Sequence, residues 1–232
     1  MDGMNFQVIY DNFTYFMIGR YPNGPMGGLG LTLYLAVVSC ILSTFGGLVL
    51  GLLSLSRIAA IRYPVNLLIN TVRGLPLLMV IFWMYFLLPA LLGTTVPESQ
   101  TVIMGLTIFT SAYMSQIVRA GIEGIPKGQV EAAISTGLKH WQAMLYIVLP
   151  QGMRNMIPSF VNQFVSLIKD TSLAFIVGVS ELTHVGTQIN NRTMAFPTEI
   201  FIFIAAVYFV LCFSFTSFSR WLEARLVWRK AM

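Results

Sequence analysis

Charged residues are scarce in this chain. Aspartate, glutamate, lysine and arginine together make up 10% of its 232 residues, whereas ordinary soluble domains carry roughly 25%. Hydrophobic residues make up 56%. A water-soluble fold of this length could not bury so much apolar surface. The composition therefore excludes an ordinary soluble domain and predicts an integral membrane protein.

Cysteine and histidine are also scarce, with two of each. Cys40 and Cys212 fall in apolar stretches, so inert buried thiols are expected rather than a disulfide framework. His140 and His184 lie far apart in sequence and have no partner at metal-ligand spacing, so no metal site is predicted. The patterns G-x-x-x-x-G-K-[ST], G-x-S-x-G and H-E-x-x-H do not occur. We therefore predict no catalytic residue, no cofactor and no ATP-binding loop in this chain.

Long runs without Asp, Glu, His, Lys or Arg predict the membrane spans. The uninterrupted runs are Tyr21–Ser56, Gly74–Pro97, Ser99–Val118 and Ile200–Ser219. Each reaches the length of about 20 residues that a spanning helix needs. A fifth run, Ile157–Ser180, is interrupted by Lys169 and Asp170 and is also counted as a span. The sequence thus predicts an all-α bundle of five transmembrane helices.

The basic residues predict the orientation of the bundle. Eleven of the 14 lie on one side, namely Arg57, Arg62, Arg73, Arg119, Lys127, Lys139, Arg154, Arg220, Arg225, Arg229 and Lys230. The other side carries Arg20 and Arg192. Because Lys and Arg concentrate in cytoplasmic loops, we expect the amino terminus outside and the carboxyl terminus in the cytoplasm. Anionic membrane lipid explains these residues, and no nucleic-acid partner is expected.

Three regions follow from this topology. Residues 1–28 are expected to form an external leader, with interfacial aromatic residues at Tyr10, Phe13, Tyr15 and Phe16. Residues 29–220 form the transmembrane domain, and residues 221–232 form a cytoplasmic tail of basic and aromatic residues. No cleavable signal is evident at the amino terminus.

Two features inside the spans have alternative explanations. Gly47 and Gly51 form a G-x-x-x-G pair, which lets helices approach closely either within the chain or at a seam between subunits. The end of the third span is unusually polar, with Thr110, Ser111, Tyr113, Ser115 and Gln116. Since lipid offers no hydrogen-bond partners, these groups either bond to neighbouring helices or line a substrate path.

The cytoplasmic connection over residues 121–158 predicts two short helices. Gln129–Thr136 forms the first, Gly137 breaks it, Leu138–Val148 forms the second, and Pro150 is expected to stop the second helix. Two such helices on the inner face would form a docking surface rather than a flexible loop.

This connection contains a specific pattern. It reads Glu131-Ala132-Ala133, then Gly137, Ile147, Leu149 and Pro150. The pattern resembles the E-A-A-x₃-G-x₉-I-x-L-P motif of permease subunits in type I ABC importers. The resemblance implies a coupling helix that docks in a cleft of an ATPase subunit. Ala132 and Ala133 would present a small-residue face, Gly137 would allow the turn, and Glu131 would cap the helix or pair with a basic residue.

Further matches extend the resemblance along the chain. They are Arg73-Gly74-Leu75-Pro76, Tyr113 with residues 117–122, Gly128-Gln129, and Ser166 to Leu173. They resemble the polar amino-acid branch of these permeases, and within it glutamate/aspartate permeases most. The resemblance implies alternating access in a bacterial inner membrane. It also implies partner ATPases that bind ATP, a second identical or homologous permease, and an extracytoplasmic amino-acid-binding protein.

Lys169 and Asp170 are charges inside a predicted span, where charges are costly and usually functional. Adjacent helix residues point about 100° apart, so the two side chains do not form a simple ion pair. Asp170 followed by Thr171 and Ser172 predicts an N-cap and a broken helix. These four residues, together with Gln116, either line a translocation path or hold the bundle together.

A passive channel and a membrane-embedded enzyme are the alternative classes. A passive channel would need no docking element on its cytoplasmic side and would transport without ATP. An embedded enzyme would need paired ionisable groups or metal ligands near one depth, and Lys169 and Asp170 have poor geometry for acid–base work.

Overall fold

The structure is a computed structural model that describes residues 6–228, with side chains described for residues 6–221. Within these residues the chain divides into two compact units. Of the described residues, unit 1 comprises 6–41, Pro76–Thr107 and Phe164–Phe215, and unit 2 comprises Leu42–Leu75, Ile108–Gln163 and 216–228. Of the predicted tail, residues 221–232, Trp221 has a described side chain and is exposed, and the other side chains lie outside the described residues.

The described residues are almost entirely helical. The α-helices are α1 (Gln7–Asp11), α2 (Phe13–Ile18), α3 (Gly28–Ser54), α4 (Ala59–Arg73), α5 (Leu77–Phe82), α6 (Leu88–Leu92), α7 (Glu98–Glu123), α8 (Lys127–Ser135), α9 (His140–Ala143), α10 (Leu149–Asp170), α11 (Leu182–Thr193) and α12 (Pro197–Trp228). π-Helical turns occupy Trp83–Leu87 and Met144–Val148, and a 3₁₀ helix occupies Thr171–Val177. Extended pairing in this part of the chain is limited to two isolated bridges.

Four of the described helical segments are long and apolar enough to cross a membrane. They are Gly28–Ser54, Glu98–Glu123, His140–Val177 and Pro197–Trp221. A fifth candidate is the pair Ala59–Arg73 and Leu77–Leu92, which is bent by 107°. Gly74 and Pro76 lie at the bend, where proline supports a new helix start but not a continuing helix. The all-α membrane bundle is confirmed, and five spans result if the bent pair counts as one.

Both π turns precede a Leu-Pro pair. Trp83–Leu87 is followed by Leu88 and Pro89, and Met144–Val148 by Leu149 and Pro150. A proline lacks an N–H donor and its ring crowds the carbonyl four residues earlier. The wider π turn accommodates the proline, and the helix continues. The prediction that Pro150 stops the second cytoplasmic helix is therefore wrong, because helical structure runs from His140 to Val177.

The core of unit 1 joins the amino-terminal helices to α11 and α12. Its buried members are Val8, Ile9, Phe16, Leu182, Val185, Ile189, Ile200 and Ile204. Phe16 has no exposed surface, whereas Tyr10 is 80% exposed. The Tyr15 hydroxyl bonds to the side chain of Gln188. Phe16 is thus a core residue and not the interfacial aromatic residue that the sequence predicted.

In unit 2 the glycines of α3 pack directly on α7. A Cβ atom at Gly51 would lie 2.6 Å from Cβ of Val118, and one at Gly46 would lie 2.5 Å from Oγ of Ser111. Gly47 is equally close to Met114. The G-x-x-x-G pair therefore serves close packing within the chain, which was one of its two predicted roles.

Candidate functional site

The coupling segment is the part of the predicted cytoplasmic connection that carries the motif, from α8 to Pro150. Its first helix, α8, follows Pro126 in unit 2. Gly137 has φ +90°, in the left-handed region that favours glycine. Its N–H donates to the Ile134 carbonyl at 2.9 Å, and the N–H of Leu138 donates to the Ala133 carbonyl at 3.3 Å. These bonds close the end of α8, as a C-terminal glycine cap does. The predicted break at Gly137 is confirmed.

The motif residues of α8 do not all face the same way. Glu131 and Ala132 are exposed, whereas Ala133 is buried against the chain with 7% of its surface exposed. The two alanines therefore do not share one open face. Glu131 is the fifth residue of α8, and Pro126 occupies the N-cap position. The prediction that Glu131 caps the helix is wrong, since its carboxylate is more than a turn from the amino end.

Two side-chain contacts in unit 2 stabilise the start of α9. The Lys139 N–H donates to Oε1 of Gln142 at 2.8 Å, which satisfies a donor at the helix start. Nη2 of Arg57 lies 3.3 Å from Nδ1 of His140. Leu149 is half-buried and Pro150 is exposed, both in the first turn of α10. The coupling segment is consequently an ordered helical element with an open outer face.

At Asp170 the chain changes from α-helix to 3₁₀ helix without an interruption. Asp170 has helical dihedral angles, φ −64° and ψ −25°, and its side chain makes no capping hydrogen bond. The hydroxyls of Thr171 and Ser172 donate back to the carbonyls of Ile168 and Lys169 at 2.7 and 2.6 Å. The predicted break is therefore wrong, because helical structure continues through this point. The predicted N-cap is also wrong, because Asp170 has a helical backbone and the two hydroxyls stabilise the preceding turn.

The structure places the candidate path residues in both units. Lys169, Asp170, Thr171 and Ser172 belong to unit 1, with Lys169 exposed and Thr171 buried. Gln116 belongs to unit 2.

Gln116 lines a cavity of about 440 Å³ in unit 2. The residues lining it are Gln116, Ile117, Ala120, Gly121, Gly124, Asn155, Met156 and Ser159. Two of the polar residues earlier in α7 bond to backbone carbonyls instead. Ser111 donates to the Ser43 carbonyl of α3 at 3.4 Å, and Ser115 donates to the Ala112 carbonyl of its own helix at 2.7 Å. Of this polar group, Gln116 is the residue that lines the cavity.

Sequence reasoning missed one buried acidic residue in unit 1. Glu181 has no exposed surface and forms the N-cap of α11, where it accepts hydrogen bonds of 2.9 Å from the N–H groups of Thr183 and His184. The Tyr208 hydroxyl donates to the same carboxylate at 3.0 Å. An acidic residue directly after an apolar run was the available signal, but glutamate is not a usual N-cap residue.

Comparison with known proteins identifies the family. Residues 43–228, most of the chain, match the model of the binding-protein-dependent transport system inner membrane component. The chain belongs to this family. It is a permease subunit of the type I ABC importers, without catalytic activity of its own, and a multi-pass protein of the bacterial inner membrane.

Individual relatives cover nearly the whole permease. A probable glutamine ABC transporter permease protein of Bacillus subtilis is 41% identical over 200 residues, which is 85% of this chain and 91% of the relative. A glutamate/aspartate import permease protein of Escherichia coli O6:H1 is 31% identical over 207 residues, 86% and 92% of the two chains. The crystal structure of an amino acid ABC transporter with histidines has a TM-score of 0.85 and 30% identity, covering 96% and 99%.

Proposed function

We propose that this permease imports polar amino acids by alternating access driven by partner ATPases. The observation that carries the proposal is the coupling segment, whose motif residues lie on an ordered helix with an open face. Each ATPase would bind and hydrolyse ATP, and its closure would move the coupling segment and rock the membrane helices. The substrate undergoes no covalent change, since the energy enters through a conformational equilibrium.

The coupling segment supplies the contact with the ATPase. Glu131 and Ala132 are exposed and would enter the cleft of the partner. Ala133 is buried and packs against the rest of the permease chain. Gly137 sets the turn to α9, and Leu149 and Pro150 complete the motif at the start of α10. A second permease, identical or homologous, and an extracytoplasmic amino-acid-binding protein complete the proposed assembly.

Lys169, Asp170, Thr171, Ser172 and Gln116 are proposed to line the path. Lys169 is exposed in the described chain although it follows an apolar segment. An ammonium group facing lipid is costly, so it faces protein or water. At Asp170 α10 changes to a 3₁₀ helix, and departures from regular α-helix within spans commonly border substrate in transporters.

Glutamate and aspartate are the proposed substrates within the polar class. The resemblance of the whole chain and the amine of Lys169, which can pair with a carboxylate, support an anionic amino acid. Glutamine is the second candidate, because the relative that is 41% identical is a probable glutamine permease.

Uptake into proteoliposomes tests this function. The permease is reconstituted with its ATPase and binding protein, and uptake of labelled glutamate, aspartate and glutamine is measured with and without ATP. ATP-dependent accumulation of the acidic amino acids supports the full proposal. A preference for glutamine would change the proposed substrate, but the permease would still be an importer of polar amino acids. Equal flux with and without ATP would instead favour a passive channel.

A further inference from the structure

Arg73 lies at the bend between α4 and α5. It is the last residue of α4 and is followed by Gly74, Leu75 and Pro76. The sequence counts it among the basic residues of a cytoplasmic connection. The two helices, however, together have the length and composition of one bent span, and in such a span the arginine is near the middle. The contacts of Arg73 in unit 2 distinguish these two positions.

Contacts with α7 place Arg73 inside the membrane. Its guanidinium carbon lies 5.3 Å from the centroid of the Tyr113 ring, and the preceding residue, Val72, belongs to one buried cluster with Ala112. Along the axis of α7, Tyr113 is about 22 Å from the first residue and about 15 Å from the last. α7 is a candidate span, and its helix is only about 9 Å longer than a hydrocarbon core of about 30 Å. The guanidinium beside Tyr113 is therefore at membrane depth.

The charge of Arg73 has no carboxylate partner among the described side chains. Ion-pair contact within residues 6–221 is limited to Arg119 and Glu123, 2.9 Å apart. Arg73 is exposed in this part of the chain, and its guanidinium lies over the face of Tyr113. Charged side chains inside a span are costly in lipid, and they usually face a water-filled cavity or bind a functional partner.

The stacked pair of Arg73 and Tyr113 lies close to the cavity of unit 2. Gln116 follows Tyr113 by three residues, so the two side chains are neighbours on one face of α7. Gln116 lines the cavity of about 440 Å³, and so does Ala120, one turn further along the helix. The face of α7 on which the guanidinium rests therefore continues into a cavity of the same unit.

An arginine at this depth fits a carboxylate ligand. Its planar guanidinium can hold two carboxylate oxygens through parallel hydrogen bonds, and stacking on an aromatic ring fixes its orientation. We infer that Arg73 binds a carboxylate of the transported amino acid and that Tyr113 is a positioning residue beneath the guanidinium. The inference rests on the proposed function and adds a substrate-binding residue to it.

Direct binding of amino acid to the purified complex of permease and ATPase tests the inference. Labelled glutamate and labelled glutamine are the probes, and the binding protein is left out so that it contributes no affinity. Arg73→Ala removes the guanidinium, whereas Arg73→Lys keeps the charge without the two parallel hydrogen bonds. Arg62→Ala is the matched control, because Arg62 also lies on α4 and over a tyrosine ring, 5.2 Å from the centroid of Tyr63.

We expect Arg73→Ala to raise the Kd of each amino acid that Arg73 contacts by roughly 10–100-fold, the size of one lost charge-assisted hydrogen bond. Arg73→Lys should raise it by a smaller factor, and Arg62→Ala should leave it unchanged. Tyr113→Leu should weaken binding, and Tyr113→Phe, which keeps the ring, should restore it. Unchanged binding in Arg73→Ala, or an equal loss in Arg62→Ala, would overturn the inference.

The two probes identify which carboxylate Arg73 binds. Glutamine has the α-carboxylate but no side-chain carboxylate. If Arg73 binds the α-carboxylate, Arg73→Ala weakens the binding of both amino acids. If it binds the side-chain carboxylate, only the binding of glutamate is weakened. Loss of the ATPase or of a second permease from the Arg73→Ala complex would instead assign the guanidinium to a contact between subunits and overturn the inference.

ATP-driven uptake separates the inference from the proposed function. If the native complex, supplied with its binding protein, imports amino acid but binds none without that protein, the Arg73 site is wrong and the importer function stands. The same conclusion follows if Arg73→Ala imports as well as the native chain. If the native complex hydrolyses ATP and imports none of the amino acids, the proposed function fails, and the inference fails with it.

Discussion

The Tyr208 hydroxyl donates a 3.0 Å hydrogen bond to Oε2 of Glu181, a carboxylate with no exposed surface. The same carboxylate accepts 2.9 Å bonds from the N–H groups of Thr183 and His184. These donors offset part of the cost of burying an acidic side chain. The carboxylate thus links the amino end of α11 to Tyr208 on α12. Glu181 therefore has a structural role, which its sequence position between apolar runs does not indicate.

Loss of either partner should destabilise the permease. Tyr208→Phe leaves the buried carboxylate short of a donor and should lower the free energy of unfolding by about 1–3 kcal/mol. Glu181→Ala also removes the cap, which alone costs about 0.5–2 kcal/mol. Denaturation of the purified permease in detergent measures both. Tyr10→Phe, at an exposed tyrosine, is the control. An equal decrease in the free energy of unfolding for that variant would argue against the Glu181 contact.

Close packing of α3 on α7 makes Gly51 intolerant of a side chain. A Cβ atom there would lie 2.6 Å from Cβ of Val118, so Gly51→Ala should cost about 1–3 kcal/mol through overpacking. Gly128→Ala is the matched control, because nothing lies within 4 Å of that position in α8. Gly128→Ala should leave the free energy of unfolding unchanged or raise it by up to about 1 kcal/mol, because alanine has the higher helix propensity. Similar stability of the two variants would contradict the packing.

The path role of Lys169 and Asp170 predicts a transport defect without an assembly defect. Lys169→Ala and Asp170→Asn should reduce ATP-driven uptake by roughly tenfold or more, the size of one lost charge-assisted contact. Partner ATPases should still co-purify. Normal uptake by both variants in an assembled complex would assign these side chains to holding the bundle instead.

The predicted orientation can be tested with single cysteines in intact cells. Tyr10→Cys, on the amino-terminal helix α1, should react with an impermeant reagent added outside. Trp141→Cys, an exposed position on α9, should react only after the cells are opened. The reverse pattern would invert the topology and exclude the coupling segment from ATPase contact.

The sequence predicted those features that depend on long apolar runs or on glycine geometry. The spans follow from charge-free stretches, the close approach at Gly51 from G-x-x-x-G, and the turn at Gly137 from residue type. Each rests on a local property that tertiary packing does not override.

The features it missed depend on tertiary contacts or on helix geometry beyond simple propensity. Pro150 continues a helix because a π turn precedes it. Asp170 does not cap because its own backbone is helical, whereas an N-cap residue has non-helical dihedral angles. Glu181 is stabilised in part by Tyr208, 27 residues away in sequence. No local pattern indicates that contact, so the buried carboxylate emerged only from the structure.

The most direct test of the central claim is co-purification of an ATPase with this permease. The tagged native chain is extracted in mild detergent beside Glu131→Arg in the coupling segment and Glu98→Arg at the exposed start of α7. We expect a stoichiometric ATPase to accompany the native chain and Glu98→Arg and to be lost from Glu131→Arg. A folded native chain that purifies without any ATPase, or equal retention by both variants, would contradict it.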